Sequence, residues 1–255
     1  MNIHGGIPMY ELYETKIRLT SSLCDRYKKV KLSSIIERFV DLTDEQTKLW
    51  EKYISLNNDN TGICWIINKY DVKIYSLPEY LSEVTLKTYQ SRYTRHFCER
   101  IFALYDENGE LLIRIVSYWS LRDFSAMKIV SVPEEYAQFT YTEWIAEKTD
   151  KKMAKNPQYT HTDPLCIRSD DFDTNMHVNN ARYFSFLYEC DDIMDYEKYE
   201  LSEVLLNFVG GINDKAANTM MYALEDTGEC VRLSQKILCA DASTAAQIES
   251  YWRKK

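Results

Sequence analysis

Apolar residues between Val30 and Tyr53 recur three and four positions apart, at Val30, Leu32, Ile35, Ile36, Phe39, Val40, Leu42 and Leu49. That spacing predicts one long helix, with a stripe two-sided enough for the helix to be largely buried. Ahead of it, Met9 to Arg18 reads as a strand, with Thr15, Ile17 and Leu19 on one alternation. Behind it, past the polar stretch Asn57 to Gly62, four runs read as strands: Ile63 to Tyr75, Glu83 to Tyr93, His96 to Tyr105 and Leu111 to Leu121. The last two flank Asp106-Glu107-Asn108-Gly109-Glu110, a hairpin signal because Asn-Gly readily takes the positive φ of a tight turn.

The second half repeats this order. Pro164 to Arg168 is predicted as a short strand, Ser169 to Asn180 as a polar connection, and Ala181 to Cys190 as a helix. Tyr183, Phe186, Leu187 and Cys190 stand at i, i+3, i+4 and i+7 and give that helix one apolar face. Strands are then expected at Val204 to Val209, Thr219 to Leu224, Val231 to Leu238 and Ala245 to Trp252, with a hairpin at Asp226-Thr227-Gly228. Ile17-Arg18 and Ile167-Arg168 open the two copies. A charged stretch with Lys148, Lys151, Lys152 and Lys155 marks the boundary, which we set between domains 1–140 and 141–255.

Composition narrows the class. The 255 residues carry 39 acidic against 31 basic side chains, and 45% are hydrophobic. Such a chain has apolar surface enough for a core, and its net charge of −8 argues against a nucleic-acid footprint. No run approaches the length of a membrane span, and Met1 to Glu14 has neither a basic nor an apolar leader region, so a cytoplasmic protein is expected. The seven cysteines form no CxxC pair and the four histidines have no ligand spacing, so neither a metal nor a cofactor is expected. A long helix followed by an antiparallel sheet, twice over, is an α+β layout that matches a tandem, double hot-dog fold.

The chemistry concentrates in Asp171-Phe172-Asp173-Thr174-Asn175-Met176-His177-Val178-Asn179-Asn180, where seven of ten side chains are polar, immediately before the apolar helix. Asn179 or Asn180 can serve as a helix cap. A cap needs only one or two such residues, whereas carboxylates, an imidazole and carboxamides at one helix start also form a plausible general-base site, with backbone N–H groups ready for an oxyanion.

This segment, with Ala181-Arg182-Tyr183 after it, closely resembles the DxDxNxHVNNxxY signature of the acyl-acyl-carrier-protein thioesterases. The likeness runs along nearly the whole chain, including Trp65 after the long helix, Pro78, and Arg100 to Trp119 with the Asn108-Gly109 hairpin. It implies hydrolysis of the thioester between a fatty acyl chain and the phosphopantetheine of acyl carrier protein, ending fatty-acid synthesis. It also implies an acyl-binding N-terminal hot dog and a catalytic C-terminal one. Carried over by position, Asp173, Asn175 and His177 match the catalytic residues. Asp173 is expected to act as base on water or as direct nucleophile, Asn175 to donate to the carbonyl or orient water, and His177 to polarise the carbonyl or hold Asp173. Asp171, Asn179, Asn180 and Tyr183 are expected in supporting or substrate-positioning roles, and Phe39, Trp65 and Trp119 as walls of the acyl pocket.

One departure stands out. The family carries a further Glu, often followed by Cys, where this chain has Leu206 to Asp214, and the Glu position falls on Gly210 or Gly211. Asp171 and Glu189 are the nearby carboxylates that could replace it. Three functions therefore compete: an acyl-carrier-protein thioesterase, an acyl-coenzyme A thioesterase, and a non-catalytic acyl-binding protein. Acyl carrier protein is acidic, so the first needs a local basic surface, for which Lys28, Lys29, Arg92, Arg95, Lys151, Lys152 and Arg182 are available. Two fused hot dogs imply a monomer or a homodimer.

Overall fold

The computed structural model describes residues 12–54, 62–141 and 151–255. Residues 1–11, most of the Asn57 to Gly62 stretch and Lys148 of the charged boundary lie outside the described residues. The chain divides into two compact units, one of residues 1–67 and 76–147, the other of 68–75 and 148–255.

In the first unit β1 (Leu12–Arg18), β3 (Glu83–Tyr93), β4 (Cys98–Tyr105) and β5 (Leu111–Asp123) pair antiparallel in that order, and the short β6 (Lys128–Val130) adds to β5. The hairpin between β4 and β5 turns at Gly109, whose φ is +84°. The long helix α1 (Leu32–Trp50) packs against β1 and β3. Its inner side buries Leu32, Ile35, Ile36, Phe39, Leu42, Thr43, Gln46 and Trp50. Its outer side exposes Glu37, Arg38, Asp41, Asp44, Glu45 and Lys48, so the stripe is one-sided, not the broad one expected. The reason is charge: burial of those side chains without partners would cost more than the extra apolar contact returns. Phe39 stacks on Phe102 of β4 at 4.9 Å between ring centroids.

β2 (Ile63–Ile74) starts in the first unit, and its second half belongs to the other. There it pairs with β8 (Tyr199–Phe208), which continues through β11 (Thr244–Lys254), β10 (Val231–Leu238) and β9 (Asn218–Asp226) to the edge strand β7 (His161–Leu165). β7 lies upstream of the predicted Pro164 to Arg168 run. Pro164 has no N–H and is tolerated on an edge. The next residues leave the ladder because the Arg168 N–H is taken by the Asp171 carboxylate at 2.7 Å.

The predicted helix at Ala181 to Cys190 is instead two 3₁₀ turns, Asn180–Phe184 and Phe186–Tyr188. Ser185 interrupts it: its hydroxyl donates to the Arg182 carbonyl at 2.6 Å, competing with the backbone ladder. Phe184 and Phe186 are both fully buried, so the aromatic burial does not follow a single helical face. The four residues of the expected apolar face are nevertheless buried, and the segment lies on the sheet. Phe184 meets Tyr70 of β2, Tyr183 meets Phe208 of β8, and Gln235 of β10 donates to the Phe186 carbonyl at 2.7 Å. Among the described residues, no helix is long and apolar enough to cross a membrane.

Candidate active site

All the chemistry-bearing residues of the signature lie in the second unit, in the loop between β7 and the first 3₁₀ turn. Asp173 begins a tight turn. Its Oδ1 accepts the backbone N–H of Asn175 at 2.8 Å and of His177 at 3.2 Å, and its own N–H donates to the His177 carbonyl at 2.8 Å. Closing so short a loop puts Met176 at φ +60°, where its side chain is left exposed. The carboxylate therefore has one oxygen fixed by the backbone and a second that accepts no hydrogen bond among the described residues. Asn175 turns an exposed side chain outward, while Asp173 and His177 are half-buried.

The His177 ring is oriented by backbone. Its Nδ1 lies 3.0 Å from the Asn175 carbonyl oxygen. A carbonyl only accepts, so Nδ1 carries the hydrogen, and in the neutral ring Nε2 holds the lone pair. The bond from His177 to Asp173 comes from the backbone N–H of His177 rather than from the imidazole.

Asn179 caps the first 3₁₀ turn, its Oδ1 accepting the Ala181 N–H at 2.9 Å. Its own N–H reaches back to the Asp171 carbonyl at 2.8 Å, so Asn179 shapes the loop, and half-buried Asn180 opens the turn. Asp171 and Glu189 converge on Arg182, with Oδ1 of Asp171 3.0 Å from Nε and Oε1 of Glu189 3.1 Å from Nη2. The first contact is an ion pair without hydrogen-bond alignment. Burial raises the pKa of the Glu189 carboxyl and the Arg182 guanidinium opposes that shift. Both carboxylates suggested as substitutes for the missing Glu are thus engaged by one guanidinium.

Gly211 itself faces the site. A Cβ on Gly211 would stand 3.6 Å from Cδ2 of His177, whereas one on Gly210 would meet the Thr244 carbonyl at 3.2 Å. Tyr183 and Ile212 hold the segment there: the Ile212 N–H donates to the Tyr183 hydroxyl at 3.1 Å, and its carbonyl accepts the Val178 N–H at 2.8 Å. Burial raises the Tyr183 phenol pKa, opposed by the Ile212 bond. Tyr183 is therefore a buried strut. Sequence reasoning missed Ile212, whose role is carried by its backbone and leaves no side-chain signal.

Of the residues expected to wall the acyl pocket, Trp65 and Trp119 pack in the first unit on a cluster of Trp50, Cys98, Leu121, Val132, Tyr136 and Phe139. Phe39 stacks instead on Phe102. Among the basic residues, Lys29 pairs with Glu79 at 2.8 Å and Arg182 is engaged as above.

Comparison with known proteins decides the family. The model of the acyl-ACP thioesterase N-terminal domain matches residues 10–140, and that of the acyl-ACP thioesterase C-terminal domain matches residues 154–254. The chain belongs to the acyl-ACP thioesterase family. It is 24% identical over 196 residues to a chloroplastic acyl-[acyl-carrier-protein] hydrolase of Cuphea viscosissima, covering 70% of this chain and 48% of that one. The chain thus spans about half the length of the curated relatives it matches. Two solved structures share the double hot-dog fold. A Lactobacillus plantarum protein assigned as an oleoyl thioesterase superposes with TM-score 0.81 at 24% identity, over 95% of this chain and 96% of that one. The 12:0-ACP thioesterase of Umbellularia californica superposes with TM-score 0.81 at 16% identity, over 96% and 94% of the two chains.

Proposed function

We propose that this member of the family hydrolyses fatty acyl thioesters of acyl carrier protein, releasing the free fatty acid and ending chain synthesis. The observation that carries the reading is the Asp173 turn: one carboxylate oxygen is anchored by two backbone N–H groups, and the other is left to act beside Asn175 and His177. A carboxylate held this way loses little freedom on reaching the reactive geometry. Asp173 takes a proton from water as that water attacks the thioester carbonyl carbon, or attacks the carbon itself to give an anhydride that water then opens. The carbon–sulfur bond breaks, and the pantetheine thiolate leaves and takes up a proton. The Asn175 carboxamide donates to the carbonyl oxygen, and the His177 imidazole, oriented by the Asn175 carbonyl, acts beside Asp173.

In this reading residues 141–255 are catalytic and residues 1–140 bind the acyl chain, with Phe39, Trp65 and Trp119 along the chain's path. Asp171, Asn179, Asn180 and Tyr183 hold the loop. The partner is acyl carrier protein bearing a phosphopantetheine-linked acyl chain, and the active form is a monomer or a homodimer. The seven cysteines are all unpaired, which suits a reducing compartment, and we place the reaction in the cytoplasm.

A second reading is favoured by Gly211, which sets no carboxylate against His177: an acyl-binding protein without turnover. One experiment separates the possibilities. The same acyl chain is offered on acyl carrier protein and on coenzyme A, and both release and binding are followed. Hydrolysis with higher kcat/KM on the carrier protein supports the proposal. Preference for coenzyme A moves the substrate, and binding of both without release leaves the acyl-binding reading.

A further inference from the structure

Arg100, on β4 in the first unit, is 5% exposed, and its guanidinium lies between sheet and helix. Nη1 donates to Oε1 of Gln46 on α1 at 2.5 Å and to Oγ1 of Thr88 on β3 at 3.0 Å. The guanidinium carbon stands 5.2 Å from the centre of the Trp50 ring. Both oxygen partners are uncharged. Among the described residues no carboxylate lies within ion-pair distance, and Nε and Nη2 have no acceptor. Burial lowers the Arg100 pKa to about 10, a shift that the Asp44 carboxylate on α1 opposes from beyond ion-pair distance, so the cation persists at neutral pH.

A buried guanidinium whose hydrogen bonds reach only neutral acceptors is incompletely compensated by a carboxylate beyond ion-pair distance, and an apolar side chain of similar volume would pack here without that penalty. Three donors in a planar fork match the two oxygens of a carboxylate. The surroundings are apolar: Trp50, which flanks Arg100, belongs to the cluster with Leu121, Val132, Tyr136 and Phe139. Buried polar residues also ring Arg100 on the sheet. Gln90 and Ser117 are its direct cross-strand partners, and the Ser117 hydroxyl donates to the Arg100 carbonyl at 3.1 Å.

We propose that Arg100, with Gln46 and Thr88, forms a receptor in the first unit for a carboxylate carried on an aliphatic chain. The inference rests on the reading that this unit takes the acyl chain. Two sources share this chemistry: a released fatty acid entering head first, and the far end of an ω-carboxyacyl substrate.

Calorimetric titration of the full chain with decanoate and with decanol tests it without any turnover, so its failure is separate from failure of the hydrolase reading. The wild type is expected to bind decanoate about tenfold more tightly than decanol, the difference expected for a hydrogen-bonded charge. The Arg100→Gln protein, once folded by circular dichroism, is expected to bind the two alike. Measured on the Asp173→Asn protein, tighter binding of the pantetheine monothioester of sebacic acid than of decanoyl-pantetheine identifies the ω-carboxyacyl source, and preference for decanoate alone identifies the free acid. Equal binding of decanoate and decanol by the wild type, which needs no variant, overturns the proposal. A preference for decanoate that survives in Arg100→Gln overturns it as well.

Discussion

Gly211 faces His177, with a Cβ at that glycine 3.6 Å from the imidazole Cδ2 and no other neighbour within 4 Å among the described residues. Of the two glycines on which the family's Glu could fall, this one points at the candidate base machinery. Gly211 has φ +103°, a conformation that side chains with a Cβ rarely adopt. Gly211→Ala is therefore expected to destabilise the fold by about 1–3 kcal/mol in urea unfolding, from strain rather than clash. Gly211→Glu should suffer the same loss, yet turn over faster per folded molecule than Gly211→Ala. An alanine variant as stable as wild type would show that the glycine is not required by the backbone.

Tyr183 and Ile212 hold that arrangement. Replacing Tyr183 by Phe keeps the ring contacts with Phe186 and Phe208 and removes only the acceptor of the Ile212 N–H. A buried N–H left without a partner costs about 1–3 kcal/mol, which chemical denaturation will register. Because the hydroxyl acts through the segment facing His177, kcat should fall while KM stays near the wild-type value. An unchanged kcat in a destabilised variant would make Tyr183 structural only.

Glu249 supplies a pH test independent of the site. It is 2% exposed and accepts the Ser234 hydroxyl at 2.7 Å, with Arg232 3.7 Å away. Burial raises its pKa, and the Ser234 bond and Arg232 only partly offset that. A carboxyl with a folded pKa above its unfolded value favours folding while protonated, and that contribution is lost as pH rises through the folded value. Glu249→Gln can still accept from Ser234 and removes the ionisation. Its Tm should exceed wild type at pH ~7, and the gap should shrink as the pH drops below the ordinary Glu value of ~4.3. A gap that widens toward acid would contradict the assignment.

Much of this fold is legible in the sequence because its signals are local. Glu83–Tyr93 and Val231–Leu238 are strands with the bounds their β-rich runs predict, and both glycine hairpins turn at positive φ. The signature loop is legible for the same reason: its turn is closed by residues two to four positions apart. The second helix is not, since periodicity carries no information about the Ser185 hydroxyl competing for the Arg182 carbonyl. The sequence marks Gly210 or Gly211 as the departure, but neither the facing of Gly211 to His177 nor the setting of Arg100 can be read linearly. One matters through the end of β8 meeting a distant loop, the other through register that sets Arg100 between Gln90 and Ser117 and under Gln46.

In the proposed mechanism the Asp173 carboxylate, anchored through one oxygen, drives thioester hydrolysis. Asp173→Asn keeps an oxygen able to accept the Asn175 and His177 N–H groups while removing the base. Fatty-acid release from acyl-carrier-protein substrates of eight to eighteen carbons should be measured for both proteins. Release by the wild type is expected, falling by about a hundredfold or more in Asp173→Asn with binding retained. Equal release by the two proteins, or none by the wild type from any chain it binds, would contradict it.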